Sequence, residues 1–160
     1  MNNHFFVKLF AHIKKMLYLC KKFRYNYTKM DYSVEILDLV NNPNCQFYKL
    51  LIDDECQFDE FVKQVEKVKS DKSSFAGIIA LMDNYSPYQL MPRTKFRQIE
   101  AANKSERHDL YEFKKNNLRV YVILQCPNVY VAMGGYKATQ EKDIRRLKKN
   151  TSDFPETFNT

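Results

Sequence analysis

The sequence is sparing with residues that break chain order. Its 160 residues hold three glycines and five prolines, which argues against disorder and low complexity. The four cysteines, Cys20, Cys45, Cys56 and Cys126, form no CxxC pair and stand at no metal-finger spacing from His4, His12 or His108. A zinc site is therefore not expected, and neither is any other cofactor. A disulfide framework is not expected either, because 44% hydrophobic and 14% aromatic content is enough for a packed core. Reduced thiols then point to the cytoplasm. Long apolar runs are missing as well. The apolar residues of 1–29 are too few for a membrane span and are interrupted by Lys14 and Lys15. The segment also lacks the uninterrupted core and cleavage site of a signal peptide.

Acid is absent from that same segment, which carries seven Lys/Arg. Phe5, Leu9, Ile13 and Leu17 recur at i+4, a spacing that predicts a short amphipathic helix. Three roles stay open: a helix on a membrane surface, a helix packed on this chain or a partner, or a leader outside the functional protein. Met30 opens MDYSVEILDLV, where acids first appear, and is a sensible start of translation. The whole-chain charge of +7 equals that of the leader, so the remainder is neutral but polarised. Residues 30–69 carry −5, 70–103 carry +1, and 104–160 carry +4. Such a local field selects partners more than the total charge does.

At this length one domain is expected, over residues 30–150, followed by a polar tail at 151–160. CQFYKLLID (Cys45–Asp53) alternates as a strand, with Asn41–Asn44 as the turn before it. Asp53 and Asp54 are candidate caps for a helix over Glu55–Ser70, whose stripe is Phe58, Phe61, Val62, Val65 and Val68. Asp59, Glu60 and Glu66 occupy its polar side. A second helix is expected over Phe75–Tyr85, capped by Ser73 or Ser74 and ended by Ser86-Pro87. Residues 87–109 read as irregular or partly extended. Strands follow at Leu110–Lys114, Leu118–Gln125 and Val129–Gly135, joined by tight turns into an antiparallel meander. A basic helix runs from Ala138 or Thr139 through Lys149. The order β-α-α-β-β-β-α, with helices segregated from strands, predicts an α+β fold.

Cations punctuate the apolar strands of the second half. Arg93, Lys95 and Arg97 recur at every second position, which in an extended chain projects all three to one side as a phosphate cradle or a solvated edge. Arg119 and Tyr121 alternate with Val120 and Val122, which places the first pair on an open sheet face if the valines are core. Cations beside aromatics make a candidate surface for RNA.

The patterns Leu110-Tyr111-Glu112-Phe113-Lys114, Leu118-Arg119-Val120-Tyr121 and Gly134-Gly135-Tyr136-Lys137-Ala138-Thr139-Gln140 occur in order. Over Phe47–Lys149 the chain resembles the RelE/ParE superfamily of bacterial toxins, closest to its HigB-like, phage-derived branch. The resemblance implies a small twisted antiparallel sheet with helices packed on one face. It also implies a ribosome-dependent endoribonuclease that cuts mRNA and is held by an antitoxin, usually one with a helix-turn-helix domain. Other members poison gyrase, and some have no demonstrated activity, so a non-enzymatic interaction protein is the alternative.

Cleavage by the 2′-hydroxyl requires that group to lose a proton, the leaving 5′-oxygen to gain one, and the phosphorane charge to be stabilised. The resemblance makes Arg119 the candidate for the scissile phosphate, since a guanidinium is a fixed bidentate cation. A salt bridge from Arg119 to Glu112 on the neighbouring strand is the competing role. Lys137 matches the first lysine of the turn motif, a candidate for phosphate contact or proton transfer, although Ala138 stands where a second cation is usual. Lys114 and His108 complete the catalytic candidates. Arg93, Lys95 and Arg97 are candidate RNA contacts, joined by Tyr121 and by Tyr136, which could stack on a base. A lysine serves as acid or base only where burial or neighbouring cations lower its pKa.

Overall fold

The computed structural model describes residues 30–99 and 109–155. The expected leader helix in residues 1–29 and His108 lie outside the described residues. The fold is α+β, a six-stranded mixed sheet with three packed helices. The strands are β1 (Tyr32–Ile36), β2 (Gln46–Ile52), β3 (Phe96–Gln98), β4 (Asp109–Lys115), β5 (Leu118–Gln125) and β6 (Asn128–Tyr136). The helices are α1 (Gln57–Val65), α2 (Lys69–Asp83) and α3 (Gln140–Asn150), the last entered through a single 3-10 turn at Lys137–Thr139. The sheet order is β1-β2-β6-β5-β4-β3. All neighbours are antiparallel except β2 and β6, which run parallel.

The β4–β5–β6 meander forms where alternation and turns place it. Asn116 takes a left-handed φ of 51° in the first turn, a conformation that asparagine tolerates better than most residues. The second turn is Cys126-Pro127, so β6 starts at Asn128, one residue before the expected Val129. Two strands join beyond the expected order: β1 on one edge, beside β2, and the three-residue β3 on the other, beside β4.

The expectation of an antiparallel sheet with helices on one face needs correction. Leu118, Val120 and Val122 pack in one core with Phe58, Phe61 and Val65 of α1 and Ile78 and Met82 of α2. Tyr121 and Ile123 pack in a second core, with Leu147 buried and Ile144 half-buried from α3. Helices therefore cover both faces. The cause is visible in β5 itself, whose run VYVIL is apolar on both sides, as suits a central strand buried twice over. A register shift between β5 and β6 at Tyr121/Val122 lets Ala132 and Met133 both enter the α3-side core.

Helix boundaries also move. Phe58, Phe61 and Val65 bury one stripe of α1, but the helix stops at Val65 and a new one starts at Lys69. Asp53 and Asp54 do not cap α1. They turn the chain with φ of 52° and 64°, and Asp53 Oδ1 accepts from the Asp31 amide at 3.0 Å, tying β2 to the start of β1. Ser73 and Ser74 lie inside α2 rather than before it. The Ser74 hydroxyl instead accepts from Asn116 Nδ2 at 2.9 Å and so holds the β4–β5 turn.

Candidate functional site

A glutamate with no exposed side-chain surface stands at the centre of the site. Glu112 lies on the α3-facing side of β4, opposite Arg97 on β3 and Tyr121 on β5. An isolated carboxylate is costly to bury, and pairing offsets that cost. Arg97 Nε donates to Glu112 Oε1 at 2.6 Å. Gln140, in the first turn of α3, donates from Nε2 to Oε2 at 2.9 Å and to Oε1 at 3.2 Å. Lys114 Nζ lies 3.9 Å from Oε1 and Arg119 Nε 4.0 Å from Oε2. Strand β3, strand β4 and the start of α3 are thus pinned to one carboxylate.

Above it opens a cleft of about 570 Å³, lined by Arg93, Thr94, Arg97, Gln98, Ile99, Lys114 and Ile144. Lys114 is 18% exposed in its side chain, whereas Arg97 is 43% exposed. Burial pushes the Lys114 ammonium below the usual lysine range. The positive charges of Arg97, Arg119 and Arg93 add to that effect, and Glu112 opposes it. A lysine so placed can give or take a proton nearer neutrality, with two arginines beside it to meet negative charge.

A second cleft of about 560 Å³ adjoins the first. Its walls include Lys137 from the 3-10 turn and Glu141, Lys142 and Arg145 from α3, and it shares Arg97 and Ile144 with the first.

Arg93, Arg97 and Lys114 line the first cleft, and Lys137 lines the one beside it. The extended cradle of Arg93, Lys95 and Arg97 does not form. The chain turns at residues 93–95, where the Lys95 amide donates to the Pro92 carbonyl at 2.8 Å, and Lys95 lines neither cleft. Arg119 is not on an open face: it is 7% exposed, and Nη1 donates to the carbonyls of Asn116 at 3.0 Å and Leu118 at 2.7 Å. Its guanidinium closes the β4–β5 turn from inside and forms the competing salt bridge to Glu112, at 4.0 Å too long for a hydrogen bond. Tyr121 is fully buried beneath α3 and cannot meet a base. Burial pushes its hydroxyl well above the ordinary tyrosine value, with Asp143 and Glu112 adding to the shift. Tyr136 is also occupied, its ring edge-on to Phe61 and its hydroxyl donating to Asp71 Oδ2 at 3.0 Å.

Sequence reasoning missed Gln140, Ile144 and Arg145 as parts of the site, and Glu112 as its anchor. The available signals were a carboxylate inside an otherwise alternating strand and one isoleucine in the charged run DIRRLKK. Among the described residues, no group of His, Cys, Asp and Glu could hold a metal ion, and no helix is long and apolar enough to cross a membrane. No protein-family model, curated protein or solved structure matches the chain.

Proposed function

We propose that the chain cleaves RNA in the cleft beside Glu112, as a toxin of the RelE/ParE kind acting on mRNA at the ribosome and held by an antitoxin. The observation that carries this reading is Lys114, depressed in proton affinity by burial and by Arg97, Arg119 and Arg93, on the wall of an arginine-lined cleft. Neutral Lys114 takes the proton from the 2′-hydroxyl. The O2′–P bond forms and the P–O5′ bond breaks, leaving a 2′,3′-cyclic phosphate and a 5′-hydroxyl. Arg97 and Arg93 meet the charge of the phosphorane, and Lys137 is the candidate donor to the leaving oxygen. Arg119, the first candidate from the sequence, takes a positioning role through the β4–β5 turn.

Induction in bacteria with primer extension on an abundant mRNA tests this reading. Cuts within translated codons that disappear with Lys114→Met, in a variant that still folds, are the expected result. Arrest of growth with intact mRNA would sink it. One observation favours the non-enzymatic alternative: Glu112 already accepts from the one arginine that both clefts share. In that case the cation surface only binds, and loss of DNA supercoiling before loss of translation would identify a gyrase poison.

A further inference from the structure

The two clefts share a wall, and that wall has a definite composition. Arg97 and Ile144 line both. Arg97 is held upright because its Nε is fixed on Glu112 at 2.6 Å, while its side chain stays 43% exposed. Ile144 is half-buried in the α3-side core and is the large apolar member of a helix face that also carries Gln140, Glu141, Lys142 and Arg145. Arg93 and Lys114 stand on one side of this ridge, and Lys137 and Arg145 on the other. Each cleft is large enough for a nucleotide-sized group.

We infer that the two clefts bind successive phosphates of one RNA strand, with Arg97 between them and the intervening nucleotide resting on Ile144. The inference rests on the RNA-cleaving reading and adds to it the form of the substrate. A base meets the Ile144 side chain only when it is unstacked from its neighbours, so the ligand is single-stranded. Charge on both sides of the ridge holds the backbone without reading sequence. A mononucleotide fills one cleft and gains nothing from the other. Arg145 therefore contributes to binding of a strand and not of a single phosphate.

The test is fluorescence anisotropy of the full chain with a labelled oligouridylate across a salt series, repeated with the RNA as a duplex and with a labelled mononucleotide. Each neutralised phosphate contributes about 0.7 to the slope of log affinity against log salt for a single strand. Arg93→Ala and Arg145→Ala are each expected to lower that slope by about 0.7, and together by about 1.4. Lys67→Ala, at the α1–α2 corner, serves as a control and leaves it unchanged. Ile144→Ser is expected to weaken strand binding without changing the slope. If Arg93→Ala lowers the slope and Arg145→Ala does not, the second subsite is overturned while the cleavage reading stands. Duplex bound as tightly as single strand overturns the single-strand assignment alone. Absence of RNA binding at every salt concentration overturns both readings together. Circular dichroism of each variant separates loss of binding from loss of fold.

Discussion

Lys114 and Glu112 set the chemistry at the scale of single residues. If neutral Lys114 is the base, cleavage rises with pH up to its depressed pKa. Glu112 is the neighbour that opposes that depression. Glu112→Gln is therefore expected to move the rising limb of the single-turnover pH profile to lower pH, and a limb that stays in place would exclude Lys114 as the titrating group. Stability shares the same origin. Folded Lys114 loses its proton at lower pH than the unfolded chain does. Between those two values the unfolded state binds more protons, so stability rises with pH. In Lys114→Met this rise is expected to vanish from urea midpoints measured between neutrality and about pH 10. Tyr121 makes a separate case. Its hydroxyl and Arg119 Nε are buried polar atoms with no hydrogen-bond partner among the described residues. Tyr121→Phe removes one such group and is expected to stabilise the chain by about 1 kcal/mol in urea unfolding, with RNA affinity unchanged. The cations were legible in the sequence as a set. The face they share was not, because alternation says which residues lie together and leaves open which side a helix will cover. Glu112 becomes an anchor only once β3 pairs with β4, across a gap in sequence that no local pattern spans.

Paired glycines decide how closely the layers approach at the scale of elements. Gly134 and Gly135 lie near the end of β6, and neither has a positive φ. Their value is space. A Cβ at Gly134 would run into the ring of Phe61 on α1, and one at Gly135 would meet the carboxylate of Asp143 on α3. Phe61 is wedged edge-on between Phe75 and Tyr136, whereas Asp143 is a short polar side chain that accepts from the Thr139 hydroxyl at 2.6 Å. Gly134→Ala is therefore expected to destabilise by about 1–3 kcal/mol, and Gly135→Ala by less, both read from urea midpoints. The meander strands were readable to within a residue because each alternates between strong turn signals. Strand β3 was not, since three residues carry no measurable period. The α1–α2 break was missed because Val68 continues the apolar stripe of α1 while serving as the residue before α2.

Polarity of charge along the chain becomes polarity in space at the scale of the whole molecule. A cleft where Glu35, Asp54, Glu55, Asp59 and Glu60 outnumber Lys63 and Arg146 lies by β1 and α1, while Arg93, Arg97 and Lys114 stand by β3 and β4 at the opposite end of the sheet order. Lys49 offsets part of the acidic cleft, 2.9 Å from Asp59 and 3.2 Å from Glu35. Burial is graded the same way from centre to edge. Amide exchange is expected to be slowest in β5 and β6 and fastest in β1 and β3, measured by native-state hydrogen exchange. The parallel pairing of β2 with β6 has a consequence for how the protein is made. Residues 46–49 find their parallel partners only at 128–131. During synthesis the first half of the chain emerges before the strand it must join exists, with the aromatic faces of β2 and α1 open to the cell. The C-terminal meander pairs strands adjacent in sequence, so it is expected to assemble first and to serve as the template on which the waiting half closes.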